Sequence, residues 1–573
     1  MLDGLKRKLR QLSDDPVLRR WLILRALRLT PGEPAFTPHR PPCLGPGWAG
    51  LEPETPQAVF PALPEGSPRG RLTLRLPGRV LEVEPGGEAT LVAAPLDDPE
   101  TQLGLHRFAW VPMMKPGDDA RWVATIWAAW RARFGTPDSS WAWHPYTAAE
   151  RAINLITFIR RHGLPGPAED TLAVLAAHAP AMAARLEYFG EHHTSNHLFN
   201  NGRGLYLLGL ALGLPRATAA GAAILTSELG RIFRVSGLLR EGSSHYHLLL
   251  TRSLSSVWLA AREHHRPEAE VFEKALRRAV AVLPHLCLPG RFPLVGDISP
   301  DCPPEHLFGL LPGGDRRSGW LDVLPPDQRA PLAALLDEVA PSEPLAEDGW
   351  LKASFGDWMG LWHADPEGWS QMPGHGHQDC GGFELHFEKE AVFVDLGRGS
   401  YAVAGEADEM VSAQAHNGLS VDGFDPYAAN KPYYAESFRR TLGGAPPRLV
   451  RDPDGIDLNI NGFRRLKGVG AVTRRWRFEG RRLDITDTVA GSGPHLLIRR
   501  LHTTCRVEAV AGGLHLHAPG GRRFTITAPD AEITVSPTTL WTAYGEGVPA
   551  SRIEITIAAA PLPWSGLIRV EAA

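Results

Sequence analysis

The sequence predicts a multidomain α+β chain, with an all-α domain of stacked helical hairpins followed by an antiparallel β-sandwich. Three observations carry that prediction. At 573 residues the chain is too long for a single hydrophobic core. From about residue 118 to residue 345, apolar residues recur at three- and four-residue intervals. Near residue 350 the apolar period changes to two and stays there towards the C-terminus.

The elements follow in order. The opening stretch, MLDGLKRKLRQLSDDPVLRRWLILRALRL, is basic and amphipathic. Arg25 and Arg28 interrupt its apolar run and no small-residue cleavage site follows, so it reads as neither a signal peptide nor a membrane span. A helix packed on its own domain is one expectation; peripheral contact with an anionic membrane surface is the other. No other segment is long and apolar enough to cross a bilayer. The chain is therefore expected in the cytoplasm, with room for peripheral contact at the inner membrane. Residues 30–70 are rich in Pro and Gly and read as connection, and RLTLRLPGRVLEVEP (71–85) alternates like a short strand pair. These pieces make an N-terminal segment, 1–100.

The helical domain is placed at 101–345. DDARWVATIWAAWRARFG, TAAERAINLITFIRRHG, DTLAVLAAHAPAMAARLEYFG and ATAAGAAILTSELGRIFRVSG each carry one apolar face. Each closes on glycine, the residue favoured just past a helix C-terminus. SSHYHLLLTRSLSSVWLAAREHH and PEAEVFEKALRRAVAVL continue the series. The β-sandwich is placed at 346–573. FELHF, AVFVDLG, GLSVDG, DLNING, VTRRWRF, RLDITDTV, LHLHAP, RFTITAP, EITVS and RIEITIAA alternate between turn residues.

Composition excludes some functions. With 22% charged residues and a net charge of −4 there is no overall basic footprint for nucleic acid. The five cysteines, Cys43, Cys287, Cys302, Cys380 and Cys505, form no CxxC pair, which argues against a disulfide framework and suits a reducing compartment. Generous histidine and tryptophan suit a protein that moves protons and stacks sugars.

Four stretches hold the candidate chemistry. HHTSNHLFNNGRGLYLLG places Asn196 and His197 at a helix start, with Asn200 and Asn201 a turn later. Four polar side chains heading an apolar helix exceed what capping needs. REGSSHYHLLLTRSL crowds Arg240, Glu241, His245, Tyr246 and His247 at another helix start; a buried tyrosine with a satisfied hydroxyl is the ordinary alternative for Tyr246. WAWHPY offers Trp141, His144 and Tyr146 to line a cleft, although core packing also accounts for Trp141. In PGHGHQDCGGFELHFEKEAVFVDLGRGSY, His375 and His377 are two apart, and on an extended backbone both rings share a face. Asp395 ends the next strand, and His416 lies in AHNGLSVDG. His377, Asp395 and His416 can supply three ligands to a metal, most naturally zinc, although the spacing matches no standard zinc signature. Incidental histidines on a surface loop are the alternative. Glycoside hydrolysis by two opposed carboxylates finds no matching pair.

WHPYTAAERAINLITF, SNHLFNNG, EGSSHYH, GHGHQD with VDLGRGSY, and AHNGLSVDG occur in the order seen in heparinase II/III-like polysaccharide lyases, and the chain resembles that family over roughly residues 105–500. The resemblance implies an incomplete (α/α) toroid followed by an antiparallel β-sandwich. It implies cleavage of a uronic-acid polysaccharide by β-elimination; related enzymes epimerise C5 instead. Carried over by position, Asn196 and His197 bind and neutralise the uronate carboxylate, and Tyr246 is the acid, in some members also the base. His375 is a second acid/base reaching across from the β-domain. His377, Asp395 and His416 resemble a structural zinc site found in some members, and no organic cofactor is implied. Trp141, His144, Tyr146, Asn200, Arg240 and Glu241 are then substrate-binding candidates. Gly376 lets the backbone turn, so His375 and His377 need not share a face.

Removing a proton α to a carboxylate leaves an enolate-like dianion, so donors must first neutralise the carboxylate. A base then takes the C5 proton and an acid protonates the departing O4. A tyrosine needs nearby positive charge to act as base, whereas a histidine titrates in range without it. The expectation is a lyase acting on an acidic polysaccharide or oligosaccharide, tied to exopolysaccharide or capsule. A uronate C5-epimerase using the same residues and a non-catalytic glycan-binding protein are the alternatives. The joint presence of Asn196, His197, Tyr246 and His375 speaks against the last.

Overall fold

Where the apolar spacing is helical, the chain coils. In the computed structural model, which describes residues 16–29, 37–115, 117–368, 374–402, 406–428, 444–529 and 531–573, the principal helices are Arg121–Phe134, Pro145–His162, Ala168–Ala183, His197–Leu212, Pro215–Ile232, Ser244–Glu263, Ala269–Leu286 and Pro326–Glu338. Neighbours in sequence pack on one another, as hairpins joined by short loops do. The loop between His197–Leu212 and Pro215–Ile232 is only Gly213 and Leu214, with Gly213 left-handed at φ +71. Tryptophan's abundance resolves into packing: Trp110, Trp122, Trp127, Trp130 and Trp143 fill one helical core, and Trp127 stacks on Trp130 with ring centroids 5.3 Å apart. Among the described residues Trp141 is the exposed tryptophan, at 66%.

The hairpin read at 71–85 is present as Leu72–Leu76 paired with Arg79–Val83. The sandwich begins at Trp350. Its smaller sheet orders Trp350–Phe355, Trp358–His363, Gly382–Phe387 and Glu390–Phe393 antiparallel. A ten-stranded antiparallel sheet covers it, built around the long strands Arg482–Thr503 and Glu546–Ala572. Between them Trp358, Trp362, Phe383 and Leu385 meet Leu458, Trp476, Leu483 and Ile485 in one buried core. The second strand, Trp358–His363, escapes an alternation test because it is buried on both faces. Arg482–Thr503 runs past the expected RLDITDTV because its Gly-Ser-Gly-Pro is absorbed as a register shift between Val489 and Gly493.

The described part of the N-terminal helix, Pro16–Ala26, buries Trp21 in the sandwich core and leaves Ile23 exposed; Leu27 and Leu29, just past its end, are exposed too. Residues 1–15 of the predicted basic helix lie outside the described residues. Among the described residues no helix is long and apolar enough to cross a membrane.

Backbone contacts clip the two domains together beside the histidines. The His375 N–H donates to the Glu241 carbonyl and the Asp297 N–H donates to the His375 carbonyl, both at 2.8 Å. Glycine is required here: at Gly296 (φ +79) an added Cβ would stand 2.7 Å from the His375 carbonyl oxygen, and at Gly242 (φ +70) it would stand 2.9 Å from the Gly376 Cα.

Candidate active site

Three helix starts supply the helical half of the site. Tyr146 lies in the first turn of Pro145–His162, His197 opens His197–Leu212, and Tyr246 lies in the first turn of Ser244–Glu263. Ser243 caps the last of these, its side chain accepting the Tyr246 N–H at 3.1 Å. Ser195 accepts the His197 N–H at 3.3 Å. The Tyr146 and His197 rings meet with centroids 4.6 Å apart. Helix starts of this kind favour an anionic ligand.

A buried carboxylate organises His197. Its Nδ1 lies 2.7 Å from Glu187, whose other oxygen accepts from the Asn201 amide at 2.9 Å; His144 Nε2 lies 3.6 Å away. Burial works against the charge of His197, but the Glu187 carboxylate raises its pKa above the ordinary histidine value. Burial likewise opposes ionisation of Glu187, yet His197 and Asn201 hold it down at about 2. The side chain of His197 remains 42% exposed. The pair makes a pH prediction. A raised histidine contributes stability that is complete below its unfolded pKa, about 6.5, and disappears as pH rises through the folded value. The depressed Glu187 contributes stability that is lost as pH falls through about 2. Denaturation of wild type and Glu187→Gln across pH should therefore show a stability gap near neutrality that narrows as pH rises past the His197 pKa; a gap independent of alkaline pH contradicts the pairing.

Asn196 is almost fully buried, and both of its donors meet Glu241: its N–H reaches one carboxylate oxygen and its side-chain amide the other, each at 2.6 Å. A carboxylate thus already sits on the residue expected to neutralise one. Tyr146 donates to Asp301 at 2.5 Å, and Arg107 donates to the second Asp301 oxygen at 2.8 Å. Asn200 accepts from Arg203 at 3.2 Å, and its buried amide nitrogen has no hydrogen-bond partner. Trp141 lies beside His144, ring centroids 5.3 Å apart. Arg240 is exposed, and its side chain makes no hydrogen bond among the described residues. Cys380 is buried, and burial pushes its thiol well above the usual value, which disfavours the thiolate.

The β-domain delivers the second half. The His375 ring stacks on Tyr246, centroids 3.5 Å apart and planes 9° from parallel. His375 Nδ1–H donates to Asp297 at 3.0 Å, which leaves its Nε2 as the lone-pair nitrogen, 3.6 Å from Glu241. Tyr401 donates to the Ile298 carbonyl at 3.2 Å and so accepts from Tyr246, the two hydroxyls 2.8 Å apart. Burial first, then the charge of Asp301, pushes the Tyr246 phenol well above its ordinary pKa. Tyr246 is therefore a protonated donor at neutral pH.

His375 and His377 share one partner. His377 Nε2–H donates to the other oxygen of Asp297 at 2.8 Å, and Arg398 reaches that same oxygen at 3.1 Å. Burial opposes ionisation of Asp297, but hydrogen bonds from His375 and His377 and the charge of Arg398 hold its pKa far below the usual carboxylate range. Behind it, His377 Nδ1 faces His416 Nε2 at 3.2 Å, and His416 Nδ1–H donates to Asp395 at 2.7 Å. The two carboxylates fix both tautomers, so two lone pairs face each other. Only a shared proton or a bound cation relieves that contact. Burial disfavours a charged His416, but Asp395 raises its pKa to about 9. The spacing also fits a metal, since two nitrogens at about 2.0–2.1 Å from a tetrahedral zinc lie about 3.3 Å apart. Asp395 stands behind His416, so the expected trio does not meet at one point; among the described residues only Glu508, His515 and His517 bring three such ligand atoms within 4.8 Å of one another.

The structure thus brings together Asn196, His197, Tyr246, His375, Tyr146, His144 and Glu241, and adds Glu187, Asp297, Asp301, Arg107, Arg398 and Tyr401. Arg398 and Tyr401 lay in the quoted Gly-Arg-Gly-Ser-Tyr and were legible as a motif. Asp297 and Asp301 lie in an irregular stretch, GDISPDC, where no period marks them.

Residues 339–564 match the family described as Heparinase II/III-like, C-terminal. Solved structures share the fold over most of the chain. A heparinase III crystal structure is 14% identical with a TM-score of 0.59, over 84% of this chain and 78% of that one. A heparinase III gene product is 17% identical with a TM-score of 0.56, over 84% and 80%. A mutant of the heparan sulfate lyase HepC from Pedobacter heparinus is 15% identical with a TM-score of 0.52, over 84% and 78%. At these identities the likeness is one of fold: the helical toroid and β-sandwich expected from the motifs are those of the relatives. No curated protein matches the chain in sequence.

Proposed function

We propose that this chain, heparinase II/III-like in its C-terminal domain and in its whole fold, is a polysaccharide lyase that cleaves a uronic-acid-containing glycan by β-elimination. The observation that carries the reading is the stack of Tyr246 on the Asp297-held His375. Each role follows from a proton. His197 and Asn196 receive the uronate carboxylate, which displaces Glu241 from the Asn196 donors. His375 Nε2 takes the C5 proton, and the electrons of that bond form the C4–C5 double bond as the C4–O4 bond breaks. The Tyr246 hydroxyl gives its proton to O4, and water resets both side chains. Asp297 positions the His375 tautomer and stabilises the imidazolium that forms.

Elimination is favoured over C5 epimerisation by the same stack. Epimerisation returns a proton to the opposite face of C5, and we read two rings stacked with centroids 3.5 Å apart as lying on one side of the sugar. The arrangement suits a uronate whose C5–H and C4–O4 bonds lie on the same side. Turnover in deuterium oxide separates the two: chain shortening without deuterium at C5 of recovered polymer supports the lyase, and C5 deuterium in uncut polymer overturns it.

We place a structural zinc at His377 and His416, with Asp395 acting through His416 and Asp297 through His377, as carboxylates orient metal-bound histidines. When bound, the metal supplies structural cross-linking only. Chelation should lower Tm before it lowers turnover per folded molecule; fully folded protein purified without a bound transition metal contradicts the site. Peripheral membrane contact is assigned to the exposed Ile23, Leu27 and Leu29 with Arg25, and a role in exopolysaccharide or capsule is the setting in which such contact would serve.

A further inference from the structure

A cavity lies at the far end of the helices that build the site. Tyr146, His197 and Tyr246 occupy their first turns; Arg160, Leu210 and Leu259, close to their last turns, line a pocket of about 430 Å³. That volume is within the range of small-molecule sites. At a rise of about 1.5 Å per residue, Leu259 at the apolar end is about 20 Å along the helix from Tyr246, and Arg252 about 9 Å from it.

The pocket has an apolar wall of Leu207, Leu210, Leu259 and Trp320. Its charged lining is unbalanced: Arg160, Arg161, Arg203, Arg252 and Arg329 face one carboxylate, Asp322. Most of these arginines are accounted for. Arg160 pairs with Glu263, Arg203 with Glu150 at 2.6 Å, and Arg329 with Asp322 at 3.2 Å. Arg252 is different. It is 8% exposed, its Nε is buried without a hydrogen-bond partner, and it forms no ion pair among the described residues. It sits in the middle of Ser244–Glu263, so it does not serve to offset a helix C-terminus. Glu150 and Asp301 favour its charge through space, but their hydrogen bonds go to Arg203, Arg107 and Tyr146. A buried guanidinium facing a cavity with its donors unmatched is costly unless an anion completes it.

We propose that this cavity binds a small amphipathic anion, a carboxylate that pairs with Arg252 while its short hydrocarbon tail lies on Leu207, Leu210 and Leu259. The inference does not depend on the lyase reading, because binding is measured without glycan. The full chain is titrated calorimetrically, and by thermal shift, with octanoate, octylamine and inorganic phosphate. Octanoate should bind saturably and raise Tm; octylamine should not bind, and phosphate should bind at least about tenfold more weakly than octanoate. Arg252→Met keeps the stem and removes the charge, and should weaken octanoate about tenfold or more. Leu210→Trp fills the apolar end, leaves Arg252 in place, and should also abolish binding, which guards against misfolding of the first variant. Absence of saturable binding, equal binding of octylamine or phosphate, or wild-type affinity in either folded variant overturns the proposal.

Discussion

Tyr246→Phe is expected to lower kcat by about 10²–10⁴, the range for a positioned general acid, with little change in Tm. The hydroxyl is hydrogen-bonded to Tyr401, and Tyr401 keeps its bond to the Ile298 carbonyl when that partner is lost. Loss of one such bond is worth about 0.5–1.5 kcal/mol, too little to unfold the chain. The ring itself stays, and with it the stack on His375. KM should change little, because the hydroxyl acts on O4 as the bond breaks rather than on bound substrate. Near-normal turnover in this variant removes Tyr246 from the reaction. Tyr401→Phe is the internal control: it removes the acceptor but not the donor, and should cost far less.

His375→Ala is expected to lower kcat over the same range of about 10²–10⁴. The double variant with Tyr246→Phe should be scarcely worse than either single variant, because base and acid serve one concerted event and their losses do not add. Two fully additive losses would show that the residues act in separate steps. Asp297 gives the distinguishing comparison. Asp297→Asn leaves His375 in place but weakens the bond that fixes its tautomer, so kcat falls while KM is kept. It also loosens His377 and Arg398, so it should lower Tm where His375→Ala does not.

Much of this was legible in the chain. Apolar periods of three to four gave the helices, and alternation gave most of the sandwich strands. Legibility failed for one physical reason in several places: a period exists only when one face differs from the other. Trp358–His363 is buried on both faces and carries no alternation. Histidines and tyrosines at helix starts were conspicuous because they break an apolar pattern, and the structure gathers His197, Tyr246 and His375 as the motifs suggested. The carboxylates that govern them were hidden. Glu187 read as the tail of a helix that ends instead at Ala183, and Asp297 sits in a loop whose shape depends on Gly296 and on the opposite domain. Nor did spacing reveal that His375 and His377, read as having separate jobs, hold the two oxygens of one carboxylate. Such links join residues far apart in the chain, and no local pattern records them.

The central claim, that this site performs β-elimination, is tested most directly by ultraviolet absorbance during incubation of the wild-type chain with a panel of uronic-acid polymers. The account predicts a steady rise with at least one polymer, from the C4–C5 double bond conjugated to the carboxylate. That rise should fall at least about a hundredfold in rate in both Tyr246→Phe and His375→Ala. Chain cleavage without that absorbance, or absorbance that persists undiminished in both variants, would contradict it.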